Sequence, residues 1–116
     1  MWRRTLRHSP GFNLDKISAP VLLQAIGRNL PGEWEWFSGL SRLNKPVDML
    51  YLPFGSHILV KPWEQFASEQ ATVDWFTFWL KGEEDPAPAK ADQYKRWREL
   101  RKLQEKNEAT RTGSKQ

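Results

Sequence analysis

Few side chains in this 116-residue sequence could do acid–base or nucleophilic chemistry. Its two histidines are His8 and His57, and histidine is the side chain that titrates near neutral pH. The ordinary interpretation of either is a polar surface or loop residue, and a histidine base would need a nucleophile within hydrogen-bond reach. None of the seven serines lies in the G-x-S-x-G motif that presents a nucleophile in many hydrolases. Any hydrolytic chemistry in this sequence is therefore incomplete.

Several other chemistries are excluded by composition. The sequence has no cysteine, which rules out disulfides, thiolate metal sites and a cysteine nucleophile. Two histidines without an H-E-x-x-H motif argue against a metal site, and no motif implies a cofactor. The first 13 residues are basic but lack the apolar run of a signal peptide, and no apolar stretch approaches the roughly 20 residues of a membrane span. The cytoplasm is the default expectation.

The pattern of apolar residues predicts a strand, a helix and a second strand in the first half of the chain. An apolar run that follows Pro20 predicts a strand buried on both faces, and a turn rich in glycine separates it from the helix. Consecutive elements of this kind form a βαβ unit with parallel strands. The predicted bounds are 19–25 for the first strand, 27–32 for the turn, 33–43 for the helix and 45–52 for the second strand.

The second half of the sequence predicts two helices joined by a linker. The first runs over 62–80, with proline at its start and Gly82 at its end, and its last two turns are strongly apolar. An acidic, proline-containing linker follows over 83–89. A charged helix over 90–107 has one narrow apolar stripe, and 108–116 are expected to be disordered. The stripe consists of Tyr94, Trp97, Leu100 and Leu103.

Two features indicate that these elements belong to something larger. Parallel strands are normally buried inside larger sheets, and a two-stranded sheet leaves edges that invite pairing with another chain. Seven tryptophans are also many for a chain with so little interior. Both observations predict a missing partner surface.

The order of the elements resembles the C-terminal end of the α/β-hydrolase domain in the prolyl oligopeptidase family of serine peptidases. Residues 9–17 (SPGFNLDKI) and 19–23 (APVLL) look like the entry to the penultimate strand and that strand. Residues 45–49 (KPVDM) with 51–53 (YLP) resemble the last core strand and its exit, and 74–80 (DWFTFWL) resemble the closing helix. The resemblance covers about residues 9 to 80.

The resemblance implies a fold and a catalytic residue. The fold is of the α/β class: the C-terminal fragment of an α/β-hydrolase fold, with a βαβ unit, a long closing helix and an extra basic C-terminal helix. Residues 1–82 would form the hydrolase part. His57, four residues after Pro53, stands at the spacing of the family's catalytic histidine, the general base. The serine and the oxyanion hole would come from preceding sequence, so the chain is expected to be inactive alone.

The triad acid is the main departure from the family pattern. The family places an aspartate a few residues after the penultimate strand, where this sequence has Asn29 when read from Pro20, or a residue nearer Gly27 when read back from Pro46. No aspartate lies between Asp15 and Asp48. Glu33, in the first turn of the next helix, is a possible substitute acid, although an acid that favours the helix dipole is its ordinary interpretation.

Two functions of different classes stay open. In the first, the chain is the C-terminal part of a serine peptidase, with the missing N-terminal part of the hydrolase domain as its partner and a peptide substrate only in the complete enzyme. In the second, it is a non-catalytic remnant that acts as a binding or self-association module. The final helix is basic, but its interspersed acids are typical of a solvated helix and argue against nucleic-acid binding.

Overall fold

The computed structural model describes residues 13–53, 55 and 59–113. Within them the chain forms a strand, a helix and a strand, followed by two longer helices. Short 3-10 turns cover Leu14–Lys16, Gly27–Asn29 and Pro88–Lys90, and a π-helical turn covers Thr77–Lys81. The main elements are β1 (Val21–Ile26), α1 (Leu30–Arg42), β2 (Val47–Leu52), α2 (Pro62–Phe76) and α3 (Ala91–Gly113).

The predicted parallel pairing of the two strands is confirmed. β1 and β2 run side by side in register from Val21 opposite Val47 to Ile26 opposite Leu52. Each strand starts directly after a proline, which has no N–H to donate to a neighbouring strand. The N–H of Val21, the residue after Pro20, donates to the Pro46 carbonyl at 3.0 Å.

The two faces of the sheet are covered by different helices. The Gln24 side chain donates to Thr72 Oγ1 of α2 at 2.9 Å, and Leu22 packs against the cluster that contains Trp75. Successive strand residues point to opposite faces, so Leu23 and Ala25 point to the side of the crossover helix α1. The sheet is therefore the middle of three layers.

The prediction that β1 is buried on both faces is wrong for the chain as described. Only Ala25 is buried in β1, and the other five strand residues are partly exposed. A sheet of two strands leaves both outer edges without a neighbour, so side chains that point toward the faces still meet solvent at their flanks.

Helix α1 begins earlier than the sequence indicates. It starts at Leu30, with Pro31 in its first turn, where a missing N–H costs nothing. Glu33 lies in that first turn, as expected for an acid near the positive end of a helix. The predicted turn region 27–32 is thus divided between the 3-10 turn at Gly27–Asn29 and the start of the helix.

The long helix predicted over 62–80 is confirmed in position and altered in its last turn. It is α-helical from Pro62 to Phe76 and continues as the π-helical turn to Lys81. Gly82, with φ of 72°, ends it, and its N–H donates to the Phe78 carbonyl at 3.1 Å. A left-handed glycine at this position is the common way for a helix to end.

The main core lies where α3 packs against the end of α2 and the π-helical turn. Trp75, Phe78, Tyr94 and Trp97 are buried there, and Leu22, Trp79 and Leu100 pack around them. Two of the four contacts among the buried rings are edge to face, Trp75 with Trp97 and Tyr94 with Trp97, an arrangement that aromatic quadrupoles favour; the Trp75 and Trp97 centroids are 5.0 Å apart. We call the four buried rings the aromatic cluster. It confirms that Tyr94 and Trp97 belong to one apolar stripe.

Helix α3 extends to Gly113, whereas disorder is expected from residue 108 onward. Side chains late in the helix bind the first half of the chain: Gln104 Nε2 donates to the Ser18 carbonyl at 2.9 Å, and Asn107 Nδ2 to the Asn44 carbonyl at 2.8 Å. These anchors hold the helix in place, so the residues that follow continue it. None of the described helices is long and apolar enough to cross a membrane.

Candidate functional site

The carboxyl ends of β1 and β2 lie at the same edge of the sheet, because the strands are parallel and in register. Ile26 and Leu52 are register partners at that edge. In open α/β sheets the crevice outside the carboxyl ends of the strands is the usual place for ligands and catalytic side chains. The loops that leave these two strands are therefore the candidate site.

The two loops touch through a pair of glycines. A Cβ added to Gly27, just after β1, would overlap the Gly55 carbonyl oxygen, which follows β2. Gly27 also has φ of 55°, a conformation that L side chains rarely adopt. Both the close approach and the backbone angle require glycine here.

Gly55 makes a tight turn directly after β2. Its N–H donates to the Leu52 carbonyl at 3.2 Å. A Cβ at Gly55 would come within 2.7 Å of Ile26 Cγ2 and 3.0 Å of Leu59 Cδ2, so both the end of β1 and the start of the next segment press against it. The turn folds the chain after β2 back against the end of β1.

Asn29 and Glu33 both belong to the segment that leaves β1. Asn29 ends the 3-10 turn and occupies the N-cap position of α1, where its side chain is exposed and makes no capping hydrogen bond. Glu33 is half-buried in the first turn of α1, four residues later and thus on the same side of the helix. The structure places both predicted residues near the carboxyl edge of the sheet.

His57 lies outside the described residues. Gly55 and Leu59, which stand two residues before and two residues after it, contact each other at the carboxyl edge as described above. The predicted role of His57 as a general base, and the relation of Asn29 and Glu33 to it, stay predictions.

One acid that is buried in the first turn of α2 had no separate prediction from the sequence. Glu64 is 1% exposed, and among the described residues its Oε1 has no hydrogen-bond partner; the Lys61 Nζ lies 3.9 Å away. The signal in the sequence is an acid two residues after Pro62, which predicts only a favourable charge at the helix start. Burial was not predictable from that pattern.

The other buried acid is fully engaged in structure. Asp74 is 5% exposed and accepts from Lys90 Nζ at 2.8 Å, Gln70 Nε2 at 2.9 Å and Gln93 Nε2 at 3.2 Å. It lies in the last turn of α2, where α3 begins to pack. Within the part of the chain that the structure describes, no three acids or histidines come together in a group that could hold a metal ion.

Comparison with known proteins identifies a peptidase relative. The chain is 38% identical over 95 residues to the lasso peptide isopeptidase AtxE2 of Asticcacaulis excentricus. The match covers 82% of this chain and 14% of that protein. The chain thus spans about one seventh of the length of the relative that it matches. No protein-family model matches the chain.

Solved structures of the same relative have the same fold over this region. The chain superimposes on AtxE2 isopeptidase without ligand with a TM-score of 0.76, and on a serine-to-alanine variant with Astexin3-dC4 bound with a TM-score of 0.75. Both matches cover 80% of this chain and 14% of the solved chain, at 38% identity. The chain is therefore similar in sequence and in mixed helix–strand structure to part of a peptidase.

Proposed function

We propose that the chain is the C-terminal part of a serine-type peptidase of the prolyl oligopeptidase kind, and that it supplies the catalytic histidine to an α/β-hydrolase domain. The observation that carries the proposal is the 38% identity with an isopeptidase over 95 residues. Two parallel strands whose exits meet at one edge, tightened by the contact between Gly27 and Gly55, suit a site built outside the ends of the strands.

The remaining catalytic groups would come from outside this chain. The match spans 14% of the relative, and an α/β hydrolase carries its serine and oxyanion donors before its acid and histidine. The structure of the relative with Astexin3-dC4 bound has alanine in place of a serine. If that serine is the nucleophile, the substitution removes the hydroxyl that would attack the amide carbonyl, so a bound substrate would stay uncleaved.

The proposed reaction is hydrolysis of an amide, with an isopeptide bond as the substrate class suggested by the relative. The serine oxygen attacks the carbonyl carbon while His57 takes the serine proton. The carbon–nitrogen bond then breaks, and His57 gives the proton to the leaving amine. Water, activated by His57 in the same way, cleaves the resulting ester and restores the serine. The net change is the addition of one water across the amide.

The triad acid is the group for which this chain has no aspartate at the expected place. A carboxylate holds the histidine tautomer and stabilises the imidazolium. In a serine protease, replacing the triad aspartate by asparagine lowers turnover by about 10⁴. Asn29 stands near the place of the acid and is exposed at the N-cap of α1. Glu33, four residues on and half-buried, is the substitute acid that the chain offers at the same edge.

The test is acylation of the complete domain by a fluorophosphonate probe, which reacts with activated serines. The domain with its preceding segment is expected to be labelled, and His57→Ala is expected to abolish the labelling. His8→Ala is the matched control and should leave it unchanged. A folded, complete domain that takes up no probe would refute the peptidase proposal.

A pair of variants in the same domain separates the two candidate acids. Asn29→Asp restores a carboxylate near the place of the acid and is expected to raise turnover of an isopeptide substrate, by up to about 10⁴-fold. If instead Asn29→Asp leaves the rate unchanged and Glu33→Gln lowers it, the acid is Glu33. The rate is measured by mass spectrometry of the hydrolysed product.

A non-catalytic binding module is the second candidate, and the observation that favours it is the exposed asparagine near the place of the acid. A module of this kind would fold without further sequence. It predicts cooperative urea unfolding of the chain alone together with no labelling of the complete domain.

A further inference from the structure

We propose that Glu64 is a positioning residue of the peptidase site, and that its buried carboxylate orients the general base His57 from the face of the sheet that α2 covers. The inference rests on the proposed function, because it adds a group that would hold the proposed base. Two observations carry it: a buried carboxylate whose Oε1 has no hydrogen-bond partner among the described residues, and the place of that carboxylate at the carboxyl edge.

Helix α2 runs in the direction opposite to β1, so its first turn lies at the carboxyl edge of the sheet. The Gln24 side chain forms hydrogen bonds with Ser68 and Thr72. Leu22, two residues earlier in β1, packs against the cluster that contains Trp75, further along α2. Residue numbers along β1 thus fall as those along α2 rise, and the start of the helix is nearest the end of the strand.

Glu64 lies four residues before Ser68 and on the same side of the helix. Four residues advance a helix by about 6 Å, and the two residues from Gln24 to Ile26 advance a strand by about 6.6 Å. The Glu64 side chain is therefore level with Ile26, the last residue of β1, and is directed toward the sheet. Its exposure of 1% agrees with that direction.

A second set of contacts places the start of α2 at the same edge. Gln65, the neighbour of Glu64, donates from its Nε2 to the Leu59 carbonyl at 2.6 Å. Leu59 and Ile26 both lie against Gly55, since a Cβ added there would come within 3.0 Å and 2.7 Å of them. The first turn of α2 is thus tied to the exit of β2 at the end of β1.

Chain connectivity keeps the proposed base close to these contacts. His57 lies outside the described residues, but two residues of chain join it to Gly55 and two join it to Leu59. Two residues of chain span at most about 7 Å. His57 and Glu64 therefore belong to the same edge of the sheet, and Glu64 approaches it from the α2 face, whereas Glu33 approaches it from the α1 face.

The burial of Glu64 exceeds what a role in the helix alone requires. An acid at a helix start favours the dipole while it stays exposed, and burying a carboxylate costs free energy that a donor or a cation must offset. The Lys61 Nζ lies 3.9 Å from Oε1, beyond hydrogen-bond distance, and the Lys61 side chain is half-exposed. An imidazolium is a donor that would satisfy the free oxygen and would be stabilised by it.

The charge of the neighbouring groups limits what could hold a protonated histidine here. Arg28 and Lys61 are cations, which lower the pKa of a nearby histidine. Glu33 is the rival carboxylate, and it lies on the other face of the sheet. Among the described residues, the charged side chains near this edge are Arg28, Glu33, Glu35, Lys61 and Glu64.

The test is an NMR titration of both histidines in this chain, with His8 as the internal reference. We expect the pKa of His57 to lie above its ordinary value of about 6.5, since a neighbouring carboxylate favours the charged imidazole. Glu64→Gln keeps the shape of the side chain and removes its charge, so it should lower that pKa by about one pH unit or more. Glu69→Gln is the matched control, because Glu69 is an exposed acid of the same helix, and it should change neither pKa.

Three results would overturn the inference. The first is a wild-type His57 pKa at or below the ordinary value, a measurement that needs no variant and so holds even where Glu64→Gln does not fold. The second is a fall in that pKa with Glu33→Gln in place of Glu64→Gln, which would assign the role to Glu33. The third is an equal fall with Glu64→Gln and Glu69→Gln, which would indicate a general effect of net charge.

Activity of the complete domain separates this inference from the proposed function. There, Glu64→Gln should lower kcat for an isopeptide substrate about 10-fold or more with KM unchanged, and should move the acid limb of the pH–rate profile to lower pH. The titration needs no catalysis, so a raised His57 pKa in a domain that takes up no fluorophosphonate refutes the peptidase proposal alone. Labelling of a domain in which the His57 pKa is ordinary refutes the role of Glu64 alone.

Discussion

The aromatic cluster and the carboxyl edge of the sheet differ in how far their side chains are buried and hydrogen-bonded. In the cluster, Phe78 and Trp97 are 0% and 1% exposed, and Trp97 Nε1 donates to Asp48 Oδ2 at 2.6 Å. At the carboxyl edge, Asn29 is exposed without a capping bond. Near it, Trp34 of α1 is 54% exposed. The difference indicates that the C-terminal half supplies the best packed part of the described chain, whereas Asn29 and Trp34, which follow β1, are largely exposed to solvent.

Charged groups of α3 and of the turn before it stabilise the region around the aromatic cluster. Lys90 Nζ lies 2.8 Å from Asp74 Oδ2 and 2.6 Å from Asp85 Oδ2, and so connects α3 to the end of α2 and to the linker. Desolvation alone would lower the pKa of Lys90, but hydrogen bonds to Asp74 and Asp85 hold that pKa above its ordinary value. Arg101 adds a contact through its guanidinium, which stacks over the Phe78 ring 3.8 Å from its centroid.

Trp97→Ala should have the largest effect on the difference between the two regions. It removes a tryptophan ring of the aromatic cluster that is 1% exposed, and leaves Asp48 without its shortest donor. We expect a loss of about 3–5 kcal/mol in the free energy of unfolding, measured by urea titration.

Trp34→Ala is the control for a large ring on the open side. Trp34 stacks on Phe37 at 5.5 Å but is half-exposed, so the loss should stay below about 1.5 kcal/mol. Trp97→Phe separates the hydrogen bond from the ring, and about 1–2 kcal/mol of the loss should remain in that variant. Equal losses at Trp34 and Trp97 would contradict the contrast between the two regions.

Lys90→Met is expected to have the next largest effect. The variant leaves the buried Asp74 with two amide donors and no cation, and removing one partner of a buried pair is strongly destabilising. Because the Lys90 side chain is 21% exposed, we expect about 2–3 kcal/mol rather than the full range.

Lys102→Met provides the matched comparison. Lys102 pairs with Glu99 at 2.8 Å, but both side chains are about 70% exposed (71% and 68%). Such pairs contribute about 0.5 kcal/mol or less. If the two lysine variants lose the same stability, the contacts of Lys90 stabilise the fold no more than an exposed ion pair does.

Local features of the sequence were sufficient to predict most elements. The prolines at 20, 46 and 62 and the glycine at 82 mark boundaries through backbone chemistry that acts within one or two residues, and the structure confirms them. The pairing of the two strands followed from the βαβ order. The helical continuation to Gly113 was not predictable, because it depends on anchors to the distant carbonyls of Ser18 and Asn44.

The candidate site was predictable only in part for a similar reason. The position of Asn29 after a strand, and of Glu33 in a first helical turn, is a local property. The closure of the two loops through Gly27 and Gly55 depends on a contact across 28 residues that no local pattern encodes. The exposure of Phe66, Val73 and Phe76 on α2 likewise depends on long-range packing, which a helical period alone does not reveal.

Gly27→Ala tests the carboxyl edge with a smaller expected effect. The methyl group would overlap the Gly55 carbonyl, and the φ of 55° strains any L residue. We expect a loss of about 1–2 kcal/mol, and slower acylation of the complete domain because the two loops are forced apart. Gly32→Ala is the control: nothing lies within 4 Å of its added Cβ inside helix α1, so stability should stay equal or rise slightly.

The smallest effect is the pH dependence of the contacts around Lys90. The pKa of Lys90 is raised above 10.5 in the folded chain, so its contribution is complete below about pH 10.5 and is lost as the pH rises through the folded value. The pKa of Asp85 is lowered below 3.8 by the hydrogen bond from Lys90, then by that from the Ala87 N–H, so its contribution is complete above about pH 3.8 and is lost as the pH falls through the folded value. The difference in thermal midpoint between wild type and Lys90→Met should therefore be constant across neutral pH and shrink only at the two extremes. A difference that changes between about pH 6 and 8 would instead indicate that a histidine titrates. The pH-sensitive contact would then not be the one that Lys90 makes.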